Sequence, residues 1–314
     1  MPDELDAHYN SVIRGFIDGE VVPFFGAGVN LVGRPKDAQW KTGKYLPSGS
    51  ELSAFLADTY QYPGTDKQDL VRVSQYISVM EGSGPLYRKL RKLFDADYPP
   101  TALHQFFARL PSALKNKGYP PYPQLIVTTN YDDVMERAFR EVDEPFDLVT
   151  FIAGGEQRGK FMHFDGNQNI LIEKPNEYLG LDQRPVILKI HGAVDRLDRE
   201  RDSFVITEDD YIDYLTRTDI SNLMPVTLAA RLKNSHFLFL GYGLRDWNLR
   251  VILHRIWGQQ KLTYKSWAIQ LDPPYIERKF WEKRDVDLIG VSLDDYIAEL
   301  EKRLQAWAPF AGEL

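Results

Sequence analysis

Six short, almost unbroken apolar runs constrain the fold of this chain more than any other feature. They are residues 21–25 (Val-Val-Pro-Phe-Phe), 125–129 (Leu-Ile-Val-Thr-Thr), 186–190 (Val-Ile-Leu-Lys-Ile), 236–240 (His-Phe-Leu-Phe-Leu), 266–270 (Ser-Trp-Ala-Ile-Gln) and 286–289 (Val-Asp-Leu-Ile). A strand with one wet face alternates apolar and polar residues, whereas runs this continuous are covered on both faces. Helical periodicity separates them. Leu5, Tyr9, Val12, Ile13, Phe16 and Ile17 share one face of residues 5–18, and Gly19 follows as a stop. Residues 294–307 form a last helix. The alternation predicts an α/β fold: a Rossmann-like, doubly wound, mainly parallel six-stranded sheet.

The 314 residues show no internal repeat or clean linker and read as a single domain over 1–314. Within it, residues 50–118 carry helical patterns at 51–60, 69–80, 85–94 and 102–110 without a convincing strand, so they read as a helical insertion. Residues 31–49, rich in Gly, Pro and Lys, read as a long loop of the kind that serves as a lid. The basic group Arg88, Lys89, Arg91 and Lys92 reads as a solvated helix face.

With no cysteine, the chain has no disulfide, thiol nucleophile or cysteine-held zinc. The acidic start is no signal peptide and no run is long enough to span a bilayer, so a cytoplasmic location is expected. A formal charge of −7 argues against generic nucleic-acid binding. His8, His104, His163, His236 and His254 lack metal-ligand spacing, so no metal site is expected. Six Trp, 17 Tyr and 17 Phe exceed what one sheet core readily buries, which points to a homo-oligomer.

Glycine and polar residues gather where the strands stop, and in open α/β sheets ligands bind beyond those ends. Four segments meet that description: Gly26-Ala27-Gly28 with Asn30, Thr129-Asn130-Tyr131-Asp132, His191-Gly192, and Gly241-Tyr242-Gly243-Leu244-Arg245-Asp246. The first glycines allow a tight turn close to an anion, and Asn30 is expected to cap a following helix whose amides would receive a phosphate. Each segment also has a plainer explanation. Tight turns use glycine for steric reasons alone, Asn130 and Asp132 could cap helices, and His191 could be a turn residue. Tyr242 could stack on a ring or merely pack, and Arg245 with Asp246 could touch a ligand or form an ion pair. The P-loop pattern is absent, and the dehydrogenase fingerprint fails because its third glycine would fall at Leu31.

Together these segments resemble the sirtuin (silent-information-regulator) superfamily of NAD-consuming proteins. Gly26-Ala27-Gly28-Val29-Asn30 is similar to its Gly-Ala-Gly-x-Ser loop, Thr128-Thr129-Asn130-Tyr131-Asp132 to its Thr-Gln-Asn-x-Asp segment, and His191-Gly192 to its catalytic His-Gly. Gly241-Tyr242-Gly243 stands at its ribose loop, and Ala268-Ile269-Gln270 on its last cofactor-binding strand. The four-cysteine zinc module of family deacylases is missing, and either Gly33-Arg34-Pro35 or Leu46-Pro47-Ser48-Gly49 takes the place of the family's Gly-x-Pro element. The second is preferred, since Glu51-Leu52 would then open a helix.

The resemblance to zinc-free bacterial defence proteins implies an NAD+ hydrolase that cleaves the nicotinamide–ribose bond during phage infection. Gly26, Ala27 and Gly28 would hold the pyrophosphate through their N–H groups. Asn130 would bind ribose hydroxyls and place water, and Asp132 would orient the nicotinamide. His191 would accept a proton, with an unperturbed pKa of about 6.5. Thr129, Gly241, Tyr242, Gly243 and Gln270 complete the expected NAD site. The chain ends soon after its sheet, so a separate sensor is expected, such as a HerA-type ATPase or a short Argonaute-like protein, with nucleic acid met only through that partner. The alternatives are an NAD-dependent deacylase and a non-catalytic NAD-sensing module gripping nucleic acid through the Arg88–Lys92 helix.

Overall fold

A computed structural model of the chain describes residues 2–35, 37–40, 43–216, 224–242 and 264–307. The six apolar runs form strands whose alternate residues enter different cores. On β1 (Val21–Phe25), Val22 and Phe24 point to one face of the sheet, and Val21 and Phe25 to the other. On β9 (His236–Leu240), Phe237 and Phe239 separate from Leu238 and Leu240 in the same way. Side chains alternate sides along a strand, so an unbroken apolar run feeds two cores at once.

The other expected strands are β2 (Leu125–Thr128), β6 (Val186–Lys189), β10 (Ser266–Ile269) and β11 (Val286–Ile289). Among the described residues the sheet has nine strands rather than six, in the order β11-β10-β9-β1-β2-β6-β3-β4-β5. The three extra strands are β3 (Asp147–Phe151), β4 (Phe161–Phe164) and β5 (Asn169–Ile172). Each has half-exposed or exposed positions, so none reads as an unbroken apolar run. The β3–β4 and β4–β5 pairs are antiparallel; the other six pairs in the sheet are parallel. A short hairpin, β7 (Gly192–Ala193) with β8 (Ser203–Phe204), follows β6.

One face of the sheet is covered by α1 (Pro2–Ile17), α5 (Ala102–Asn116), α6 (Val134–Glu141) and α10 (Leu293–Ala306). On the other lie α7 (Glu208–Thr216), α8 (Val226–Lys233) and α9 (Tyr275–Glu282), through Tyr211, Tyr214, Leu228, Leu232 and Trp281. The helical stretch between the first two long strands divides in two. Helices α2 (Gly49–Thr59), α3 (Leu70–Glu81) and α4 (Ser83–Phe94) make a core of their own with Tyr131, Val134 and Phe204, whereas α5 belongs to the sheet. Among the described residues no helix is long and apolar enough to cross a membrane.

From β1 the chain moves to β2 on one side and later returns to β9 on the other. That reversal is the switch point at which such sheets open a crevice beyond their strand ends.

Candidate active site

The two loops over the β1–β9 half of the crevice touch backbone to backbone. Gly26 N–H donates to Leu240 O at 2.9 Å and Gly28 N–H to Gly241 O at 2.9 Å. A Cβ on Gly26 or Gly28 would lie 2.7 Å from Gly241 O. Gly241 has φ +74°, and a Cβ there would come within 2.7 Å of Gly28 C. The three glycines are therefore required by the approach of one loop to the other, as the steric explanation held. Two of the three amides expected to hold a phosphate are committed to the end of β9 and the residue after it, which leaves that of Ala27.

No long helix follows the glycine loop. Residues Ala27–Leu31 form a single 3-10 turn with Asn30 inside it, so Asn30 is not an N-cap. Its Nδ2 donates instead to Asp132 Oδ2 at 3.0 Å, and its Oδ1 is buried without a partner among the described residues. The loop beyond is pinned: Gly33 N–H donates to Asp294 Oδ1 at 2.7 Å, and Arg34 pairs with Glu51 at 2.7 Å. Ser48 and Glu51 form a capping box that opens α2, as the Leu46–Gly49 alternative anticipated.

The β2–β6 half is held by polar groups. Thr128 Oγ1 donates to Phe25 O at 3.2 Å and accepts from Asn130 N–H at 3.0 Å. Asn130 Nδ2 reaches Gly26 O at 3.2 Å, so the amide bridges both halves while its oxygen has no partner among the described residues. Thr129 Oγ1 meets Tyr242 OH at 2.7 Å, and the Tyr242 ring packs on Phe24 and Phe239 with centroids at 5.4 and 6.3 Å. In this arrangement the Tyr242 ring packs against the sheet while its hydroxyl meets Thr129.

His191 follows β6, beside β2 in the sheet. Ile190 N–H donates to Thr128 O at 3.1 Å, which sets the two strand ends together. A ring of bonds then fixes the loops: Val194 N–H to Tyr131 O (3.0 Å), Tyr131 OH to Val205 O (2.7 Å) and Val205 N–H to His191 O (2.9 Å). Gly192, at φ +81°, turns the chain where a Cβ would strike the Ser203 backbone. The His191 ring stands edge-on to Tyr211 and Tyr214, 5 % exposed, with Nε2 unpartnered among the described residues. Burial lowers its pKa to about 3, far below the expected value, so the imidazole is neutral at pH 7.

Asp132 is buried, and both of its carboxylate oxygens are engaged, Oδ2 by Asn30 and Oδ1 by Val134 N–H at 3.1 Å. It ties the glycine turn to the start of α6. Burial raises its pKa, opposed by the charge of Lys189. Lys189, which the sequence places simply within a strand, stands at the centre of this network. Its Nζ is buried, bonds the Asp132 carbonyl and pairs with Glu136 at 2.7 Å. The signal was available, because Lys189 is the one charged residue in the otherwise apolar run 186–190. Beside it, Arg196 pairs with Asp133 at 2.7 Å.

Gln270 follows β10, one strand beyond β9, and its Oε1 is buried and unpartnered among the described residues. Gly243, Arg245, Asp246 and His254 lie outside the described residues. Of the basic helix α4, Arg91 is bonded to Asp202 at 2.9 Å and Lys89 lies over the Phe55 ring; Arg88 and Lys92 are exposed. No cluster of acids and histidines suited to a metal occurs among the described residues.

The family profile described as SIR2-like domain matches residues 124–289. Over 285 residues the chain is 24% identical to defense-associated sirtuin 2 of Bacillus subtilis, an alignment that covers 88% of this chain. The chain spans 23% of the length of that curated relative.

Proposed function

This chain belongs to the SIR2-like domain family, and we propose that it is an NAD+ hydrolase, releasing nicotinamide and ADP-ribose as the effector of a bacterial anti-phage defence. One observation supports the reading: Asn130 and His191 lie just beyond the ends of the adjoining strands β2 and β6, and at the same end of the sheet His191 Nε2, Asn30 Oδ1 and Gln270 Oε1 are buried without partners among the described residues. Each unpaired buried polar atom costs about 1–3 kcal/mol, and a polar ligand supplying partners would recover it. A dinucleotide, with hydroxyls, an amide and phosphates, fits that set.

Nicotinamide is already cationic in NAD+, so its departure needs no general acid. Positive charge passes to the ribose carbon as the C–N bond breaks and water attacks. The free Asn130 oxygen would accept from a ribose hydroxyl or from that water. His191 Nε2 would take the proton released; a bound pyrophosphate raises its basicity by Coulomb attraction. The Ala27 amide would donate to a phosphate oxygen. Asp132, Thr129 and Tyr242 would act by fixing the loops, and Lys189 by holding Asp132 in place. The relative's name supports the defence setting. Self-association and activation by a separate sensor, such as a HerA-type ATPase or a short Argonaute-like protein, belong to the same proposal.

The test is to incubate the chain with NAD+, with and without acetylated peptide or a candidate sensor, and to follow nicotinamide and ADP-ribose by chromatography. Release without peptide is expected, falling at least about 100-fold in Asn130→Ala and His191→Ala, with melting curves showing folded protein. Peptide-dependent release would make it a deacylase, and tight NAD binding without turnover a sensor. Full turnover in both variants would overturn the assigned roles.

A further inference from the structure

A second polar cavity lies at the opposite end of the strands. Gln124, just before β2, is 8% exposed, and neither its Oε1 nor its Nε2 has a partner among the described residues. Arg231 on α8 gives one N–H to the Pro123 carbonyl, and no carboxylate pairs with it among the described residues. Both side chains line a cavity of about 20 Å³ walled by Phe16, Val21, Leu110 and Leu114. Desolvation without a counter-charge lowers the Arg231 pKa to about 10. Apolar residues in these two places would avoid both desolvation costs, so the arrangement is built for a group that is not part of the described chain.

We propose that this cavity is a carboxylate-binding site, in which the Arg231 guanidinium grips a carboxylate, the Gln124 amide donates to one of its oxygens, and the apolar wall takes the attached carbon chain. The guanidinium fork matches a planar carboxylate, and the single cation lining the cavity among the described residues matches a monoanion. A phosphate dianion would need further donors and charge. The space admits roughly one or two water-sized groups, so the head group enters it and the attached carbon chain leaves along the apolar wall. The carboxylate could be a free short-chain acid or the carboxylate of a peptide.

The test uses the full chain, with sodium butyrate compared against sodium chloride and phosphate at equal ionic strength, read by thermal melting and titration calorimetry. Butyrate is expected to raise the melting temperature and bind in the millimolar range, with chloride and phosphate showing neither effect. Gln124→Leu and Arg231→Met should each weaken binding at least tenfold, and Gln124→Leu should melt no lower than the parent without ligand. Arg231→Lys keeps the charge without the fork; it should also lose affinity and serves if Arg231→Met does not fold. A peptide with a free C-terminal carboxylate, compared with its amide, separates the sources: tighter binding than butyrate means a peptide ligand, butyrate alone a small acid. A water-filled cavity only, seen as equal responses to butyrate and chloride or as unchanged butyrate binding in all variants, would overturn the proposal.

Discussion

On the β1–β9 side of the crevice, loop meets loop through bare backbone, with Gly26, Gly28 and Gly241 in van der Waals contact and two amides spent on the neighbouring strand. On the β2–β6 side the equivalent loops are separated by side chains: Asp132, Lys189 and Glu136 form a buried polar network that Asn30 joins from the glycine turn, with His191 nearby against two tyrosines. The first half is shaped by excluded volume and tolerates no added atom. The second is shaped by charge and hydrogen bonding, and burial has moved the proton affinity of its Asp132, Glu136 and His191.

The largest effect should come from adding one carbon to the rigid half. Gly241→Ala combines a left-handed backbone with overlap against Gly28, and is expected to cost about 3–5 kcal/mol, read as a lowered melting temperature or a loss of folded protein. A change below about 1 kcal/mol would mean the loops do not touch as described.

Breaking the polar half should come next. Lys189→Met strands the Glu136 carboxylate and should cost about 3 kcal/mol, whereas Lys189→Met with Glu136→Leu should recover most of it. Additive losses in the double variant would show that the pair does not act as a unit.

Each half also shelters a neutral histidine, His104 edge-on to Phe25 and His191 beside Tyr211, both with pKa lowered to about 3 by burial. A folded pKa below the unfolded value of about 6.5 means stability is present above pH 6.5. It is lost as pH falls from there toward 3, at about 1.4 kcal/mol per unit for each group. Asp132 and Glu136, raised by burial, offset part of that loss on the polar side. His104→Gln preserves the capping box with Thr101 and should flatten the fall in melting temperature between pH 6.5 and 4. An unchanged slope would remove His104 from this account.

The smallest effects should lie on α4, away from both halves. Arg88→Ala and Lys92→Ala should change stability by less than about 0.5 kcal/mol in denaturant melts, while Arg91→Ala, which loses Asp202, should cost more.

The central strands were legible because each is covered on both faces, so its whole sequence is apolar. β3, β4 and β5 were not, since an edge needs only part of each strand buried; Asp147 and His163, bonded at 3.0 Å, even place a polar pair inside it. Among the site residues, the places of Asn130 and His191 beyond strand ends were legible from the apolar runs that precede them, while the pairing of those two strands is a property of the sheet. In place of the helix expected after Asn30 there is a 3-10 turn that contains it, and its side chain is bonded to Asp132, distant in sequence. Lys189 was visible as an exception in an apolar run, but its partners lie on another element.

By itself the sequence determined the alternation of strands and helices, the polar ends of those strands and the exclusion of cysteine chemistry, because burial on two faces and residue identity are local properties. Only the tertiary structure decided which amides remain for a ligand, which carboxylates are already occupied and where His191 titrates. Those depend on neighbours brought together through space, and a lone imidazole or glycine carries no record of what will be packed against it.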